Sequence, residues 1–383
     1  MKNLIQLING FHYRAVTETV LKMKKEMGIF NYAPILVLLL LLCFSSVFCA
    51  CQQNEKAVLA AYQLRIDGKV DAAKEQLELI LSEDSTNALA HFEMARTLNY
   101  MNMLGSEEAD RHLSKALELD PNNVIYAYYN AGNCFLKAYI ALQRGGDNAT
   151  EIVEKSCEEF IHVLELEPDY PEALMYLVEF YGMLPPDLGG DKAKAEKYTQ
   201  QLEKMDKFYG AKARLVLMPE GTDMAEYWEK FISENGESCK ALKELGVACI
   251  FNDDITGAKK HFEKAMNLDK SQNIRLLDLA RYHQMKVMQN RDAAAEELPK
   301  SKVYIEQYLE STPAPIPPMQ AYALGMLAKA EMFMGNQEDG QKLMKEAEVL
   351  DPYFSRAFGI PSLALFEPPT AINHHFSSFF SPF

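Results

Sequence analysis

Small and large apolar residues return along this chain every 34 residues, most cleanly from Cys239 to Gln272. With Cys239 as position 1, Leu245, Gly246, Ala258, Phe262 and Ala265 occupy positions 7, 8, 20, 24 and 27. That spacing predicts two short antiparallel helices that cross closely at the small residues, with the large ones filling the gap between them. The frame recurs with slippage. Gly68, Ala73, Leu77 and Ile80 mark a first unit, and Met94, Ala95, Ala109, Leu113 and Ala116 a second. A third opens with Tyr128 to Phe135 and closes with Ser156, Phe160 and Val163 after an insertion around Gly145. Leu174, Leu177, Tyr181, Ala195, Thr199 and Leu202 mark a fourth, and a degenerate fifth covers 207–238. Beyond the clean unit, Leu279, Ala280, Ser301, Ile305 and Tyr308 form another, its first helix expected to be lengthened through Val287 to Leu298. Leu327, Ala328, Gly335, Met344 and Ala347 form the last. A helix pair of this kind cannot bury its apolar face alone, so seven or eight must stack.

On these residues the chain resembles the tetratricopeptide-repeat proteins over nearly everything after residue 53. The position that is often Trp in that family is Ala57, His91, Tyr128, Leu174 or Leu242 here. The resemblance implies an all-α fold, a helix-turn-helix solenoid wound as a right-handed superhelix, behind an N-terminal signal or anchor segment. It also implies a groove lined by positions 2, 5, 9, 12 and 13 of each first helix. In this chain those positions hold Phe92, Arg96, Asn99 and Tyr100, then Tyr126, Tyr129, Asn133 and Lys137, then Met175, Glu179 and Met183, and finally Tyr322, Lys329, Met332 and Phe333. Aromatic and amide side chains of this kind suit an extended peptide or an amphipathic segment. The chaperone-binding subclass grips a C-terminal carboxylate with a Lys/Asn set, of which only Asn133 matches.

The N-terminus carries a second pattern. From Gly28 to Asn54 there is no charged residue, and Lys22, Lys24 and Lys25 lie just before it. A basic stretch, an apolar core and then small residues form a bacterial export signal. Phe48-Cys49-Ala50-Cys51 resembles a lipobox, which makes Cys51 the candidate lipidation site, although Phe48 stands where Leu is usual. A secretory signal cut near Ala50 and an uncleaved helical anchor remain open, since the apolar run is only just long enough to span a bilayer. The reading divides the chain into an upstream extension or juxtamembrane segment (1–22), a signal (23–51), the solenoid (52–354), and a C-terminal cap with a Phe-rich tail (355–383). It places the repeats in the periplasm of a bacterial envelope, with the outer membrane slightly favoured.

Composition narrows the partners. A formal net charge of -15 over 383 residues makes nucleic acid and anionic lipid poor ligands for the body of the chain. Cys134, Cys157, Cys239 and Cys249 lie on repeat helices without paired spacing and read as core-filling thiols. His91, His112, His162, His261 and His283 are expected to stand singly, without metal-ligand spacing, and no cofactor motif occurs. Asp191, after Gly189 and Gly190, reads as a helix N-cap rather than part of a phosphate loop. The expected function is a non-enzymatic scaffold, anchored in the membrane through its N-terminus, that binds a protein or peptide. The alternative is a substrate-binding accessory lipoprotein of a transport system, resembling the repeat component of tripartite carboxylate transporters. The oligomeric state stays open.

Overall fold

A computed structural model describes residues 54–102, 106–144 and 149–355. The segments 1–22 and 23–51, Cys51, and all but the first residue of 355–383 lie outside it. The chain divides into two compact units, 1–59 and 60–383. Of the first, residues 54–59 are described and are helical.

The second unit is all helix; among the described residues there is no strand. Its helices are α1 (60–66), α2 (Val70–Glu83), α3 (Ala88–Asn102), α4 (Glu107–Leu119), α5 (Val124–Arg144), α6 (Ala149–Leu166), α7 (Pro171–Met183) and α8 (Lys192–Met205), followed by α9 (Lys207–Val216), α10 (Met224–Asn235), α11 (Cys239–Phe251), α12 (Ile255–Leu268), α13 (Arg275–Gln289), α14 (Ala294–Leu309), α15 (Pro317–Phe333) and α16 (Gln337–Leu350). Successive helices pack as hairpins, α3 on α4, α5 on α6, α7 on α8, α11 on α12, α13 on α14 and α15 on α16, and each hairpin stacks on the next. This is the tetratricopeptide-type solenoid. No described helix is long and apolar enough to cross a membrane.

Polar caps start the helices where the sequence supplies them. Ser106, Asp206, Asp223, Ser238 and Asp254 accept backbone N–H bonds at the starts of α4, α9, α10, α11 and α12. Asp191 caps α8 as expected, accepting from Ala193 and Lys194 at 3.0 and 3.1 Å.

One expectation needs correction. The first helix of the seventh pair is not lengthened through Leu298. It stops at Gln289, where the Asn290 side chain takes the Asp292 N–H at 3.1 Å and turns the chain into α14. The fifth pair, expected to be degenerate, joins α9 to α10 through aromatic rings rather than small residues. Fully buried Trp228 lies 5.5 Å from Phe208 and 5.4 Å from Phe231, and the Tyr227 hydroxyl donates to the Ala211 carbonyl at 2.8 Å.

The last pair returns to the first two. Gly68, at φ +77, brings its backbone so close to Leu350 that a Cβ would collide with the Leu350 carbonyl, whose carbon would lie 3.1 Å away. Tyr353 donates to Asp71 at 2.7 Å, and the Tyr100 hydroxyl donates to the fully buried Asp351. Burial raises the Asp351 carboxyl, which the Tyr100 hydrogen bond partly offsets. Asp351→Ala is expected to cost about 1–3 kcal/mol, because it leaves the Tyr100 hydroxyl without its acceptor. Hydrogen exchange should then speed up together in α2 and α16, which are far apart in sequence. Acceleration confined to α16 would show that this contact does not tie the ends.

Candidate functional site

The first helices of the pairs share one wall, and the polar residues on it form two clusters. In the N-terminal cluster Arg65 donates to Glu93 at 2.9 Å, and Arg96 donates to the other oxygen of the same carboxylate at 2.8 Å. Both guanidinium groups lie over the Tyr62 ring, at 5.3 and 5.9 Å from its centroid. Phe92 stacks on Tyr126 at 4.5 Å and meets Tyr129 edge-on at 5.3 Å. Asn99 donates to the Tyr129 hydroxyl at 3.2 Å and reaches the Asn133 side-chain oxygen at 3.5 Å. Burial pushes Tyr126 up to about 12 and raises Tyr129.

The C-terminal cluster spans α9, α11, α13 and α15. Lys212 (1% exposed) lies 2.9 Å from the Glu244 carboxylate (2%), and Lys243 (4%) lies 3.4 Å from the same oxygen. On α13, Asp278 is shared by Arg275 at 2.6 Å and Arg281 at 2.8 Å. Arg281 also donates to the Tyr322 hydroxyl of α15 at 3.3 Å and lies over its ring. Lys212 and Lys243 thus converge on Glu244, and Arg275 and Arg281 on Asp278. Burial, reinforced by Lys212 and Arg275 against the opposing pull of Glu244, brings the Lys243 ammonium down to about 7.

The residues expected to line a groove divide accordingly. Phe92, Tyr126, Tyr129, Asn99, Asn133, Met175 and Glu179 are buried and serve packing between neighbouring first helices. Met175, for example, lies with Val178 against Ala213 and Val216 of α9. Every residue of α7 from Ala173 to Tyr181 is buried, so at the fourth pair the wall presents no open face. Arg96, Tyr100 and Tyr322 are half-buried, while Lys137 and Lys329 are exposed. Lys137 turns away to pair with Asp110 of α4 at 2.7 Å. Partial burial lowers Lys329.

Lys212, Lys243, Glu244, Arg275, Asp278 and Arg281 are absent from the sequence-based list. Lys243 occupies position 5 of the clean unit, and the rule that selects Phe92 and Tyr129 would have selected it. Lys212 lies in the degenerate pair, where the register carries no such signal.

The histidines do not all stand singly. His91 and His112 approach each other at 2.8 Å through their Nδ1 atoms, and His283 meets Glu297 at 2.5 Å. Among the described residues no three His, Cys, Asp or Glu side chains converge in a way that would hold a metal. The four described cysteines are free. Burial pushes the Cys134 and Cys249 thiols up to about 11 and Cys157 up to about 12, which disfavours the reactive thiolate.

No family model matches the chain, and no curated protein matches it. Similar solved structures include a tetratricopeptide repeat protein from Parabacteroides merdae, 13% identical, covering 86% of this chain and 98% of that one with a TM-score of 0.33. Human IFIT1 is 17% identical, covering 76% and 81% with a TM-score of 0.34. YrrB, described as a TPR protein with an unusual peptide-binding site, is 13% identical, covering 65% and 98% with a TM-score of 0.26. At these values the fold assignment rests on the helix pairs of this chain itself.

Proposed function

We propose that the chain is a non-enzymatic interaction scaffold, held at a bacterial envelope by its N-terminal segment, that binds a protein or peptide along its first-helix wall. The observation that carries this reading is the wall itself. Successive pairs turn equivalent helices to one side, and a stack of this kind offers an extended, repetitive binding surface. The exposed parts of that surface are Lys329 and the apolar ends of the first helices, where Phe251, Met288 and Phe333 stand open to solvent. Export and acylation at Cys51, with the repeats in the periplasm, follow from the N-terminal sequence pattern alone.

A photoreactive residue placed at Lys329 or Phe333 of the full chain should capture a partner in the native envelope, and one at Lys259 on a second helix should not. Equal capture at all three positions would refute a wall-specific scaffold. Intact mass of the mature protein should show a diacyl or triacyl group on Cys51 at a new N-terminus. A chain that still carries residues before Cys51 would make the segment an uncleaved anchor instead.

A further inference from the structure

The second pair holds two imidazoles that the scaffold reading does not use. His91 of α3 and His112 of α4 are brought together by the hairpin, their ring centroids 5.0 Å apart and their planes inclined by 39°. Their Nδ1 atoms approach to 2.8 Å. A contact that short between two ring nitrogens needs one hydrogen, so one ring donates and the other accepts. The backbone decides which. His91 Nε2 lies 3.2 Å from the Ser85 carbonyl oxygen, which only accepts. Nε2 therefore carries the hydrogen, and the neutral His91 ring has a bare lone pair at Nδ1. His112 Nδ1 donates to it. An imidazole whose far N–H is tied to a backbone carbonyl, with its other nitrogen bare, has the tautomer and support that metal-ligating histidines use. Both rings are half-buried, which leaves solvent access to the space between them. Burial, followed by His91, holds His112 below the ordinary imidazole range, with Glu108 opposing and Arg111 adding to the effect. The His112 ring is therefore neutral around pH 7, the form a metal ion needs.

We propose that His91 and His112 form a binding site for a divalent transition ion of the imidazole-preferring kind, Zn2+ or Ni2+, with the two Nδ1 atoms and solvent as ligands. Mg2+ and Ca2+ do not suit it, because both take hard oxygen donors. The ion takes the place of the shared hydrogen. Two bonds of about 2.0–2.1 Å at a tetrahedral angle set the nitrogens roughly 3.3 Å apart, so the rings part by about 0.5 Å. In the neutral pair the His112 hydrogen moves from Nδ1 to Nε2, and no proton is released. A singly protonated pair gives up one proton to solvent, so binding weakens as pH falls. Glu108, one turn before His112 on α4, adds a negative charge near the dication. Because α3 and α4 pack as one hairpin, the ion ties the two helices of the second pair together. The site goes beyond the scaffold reading and does not depend on it.

The test is isothermal calorimetry of ZnCl2 and NiCl2 into the full chain, free of any affinity tag, at pH 7.5 and pH 5.5, with MgCl2 as the control. At least one of the two ions should bind, about tenfold more weakly at pH 5.5, the competition expected of a single imidazole titrating near 6.5. His91→Gln and His112→Gln each keep a hydrogen-bonding side chain in place, and each should weaken binding at least about tenfold. A second histidine pair, His374 and His375, lies near the end of the chain, and His374→Gln/His375→Gln should leave this site intact. With the ion bound, hydrogen exchange should slow in α3 and α4 and stay unchanged in α11 and α12. Binding of Zn2+ alone, or of Ni2+ alone, identifies the ion. Three results would overturn the site: neither ion binding beyond Mg2+, as expected of a pair that only shares a proton; binding that survives both single substitutions; or binding lost in His374→Gln/His375→Gln. Photo-capture at Lys329 should be unchanged in His112→Gln, so failure of this site and failure of the scaffold reading are separable.

Discussion

Replacing Glu244 with Ala is expected to destabilise the protein by about 3–5 kcal/mol, while Lys243→Met should leave it as stable or make it more so. Both residues are buried on α11, and both belong to one ion cluster with Lys212 of α9. Their substitutions are nonetheless opposite in effect. Removing the carboxylate takes a charge partner from two buried ammonium groups, whereas removing Lys243 takes out a buried ammonium whose charged form its surroundings disfavour. The pH dependence carries the same sign. Between about 7 and its unfolded value, near 10.4, Lys243 binds fewer protons in the folded chain than in the unfolded one. Its contribution therefore rises with pH through that window and is fully unfavourable below it. Urea unfolding of wild type and Lys243→Met at pH 7 and pH 9.5 should show the gap between them narrowing at the higher pH. A gap that widens would mean that the ammonium is stabilised by its surroundings.

The architecture was legible because tetratricopeptide-type pairs depend on small residues at fixed places, and those survive sequence drift. Gly246, Ala258 and Ala265 disclosed a crossing that the structure contains. Where bulky rings do the joining, as Trp228 and Phe208 do between α9 and α10, the period carries no information. The inner wall was less legible for a physical reason. Position along a first helix tells which side a residue faces, but not whether the neighbouring helix covers it. Phe92, Tyr129 and Met175 face the expected side and are nevertheless consumed by packing. Contacts between the two ends of the repeat array, such as Tyr353 with Asp71, depend on the summed rotation of every pair and could not be read from any single one.

The clean repeat also supplies the second large effect. Phe262 of α12 is fully buried beneath α11, and its ring occupies the space that Gly246 leaves open. A Cβ on Gly246 would lie 2.5 Å from Cδ1 and 3.0 Å from Cζ of that ring. Phe262→Ala is expected to cost about 3–5 kcal/mol, since the cavity sits at a crossing of two helices that cannot collapse without breaking the stack on both sides. Gly246→Ala should cost about 1–3 kcal/mol by overpacking, despite the better helix propensity of Ala. The two changes should not add. With Phe262→Leu in place, Gly246→Ala should lose most of its penalty, because the smaller side chain gives up the contested volume, and the coupling should appear in a double-mutant cycle. Equal costs for Gly246→Ala in both backgrounds would show that the glycine is required for something other than the ring. Because the α11–α12 pair makes its main contacts with its neighbours along the stack, Phe262→Ala should broaden the unfolding transition before it lowers the end point of helix loss. Hydrogen exchange should place the first opening in α11 and α12. Opening that begins instead at α2 and α16 would locate the weakest link at the contact between the ends.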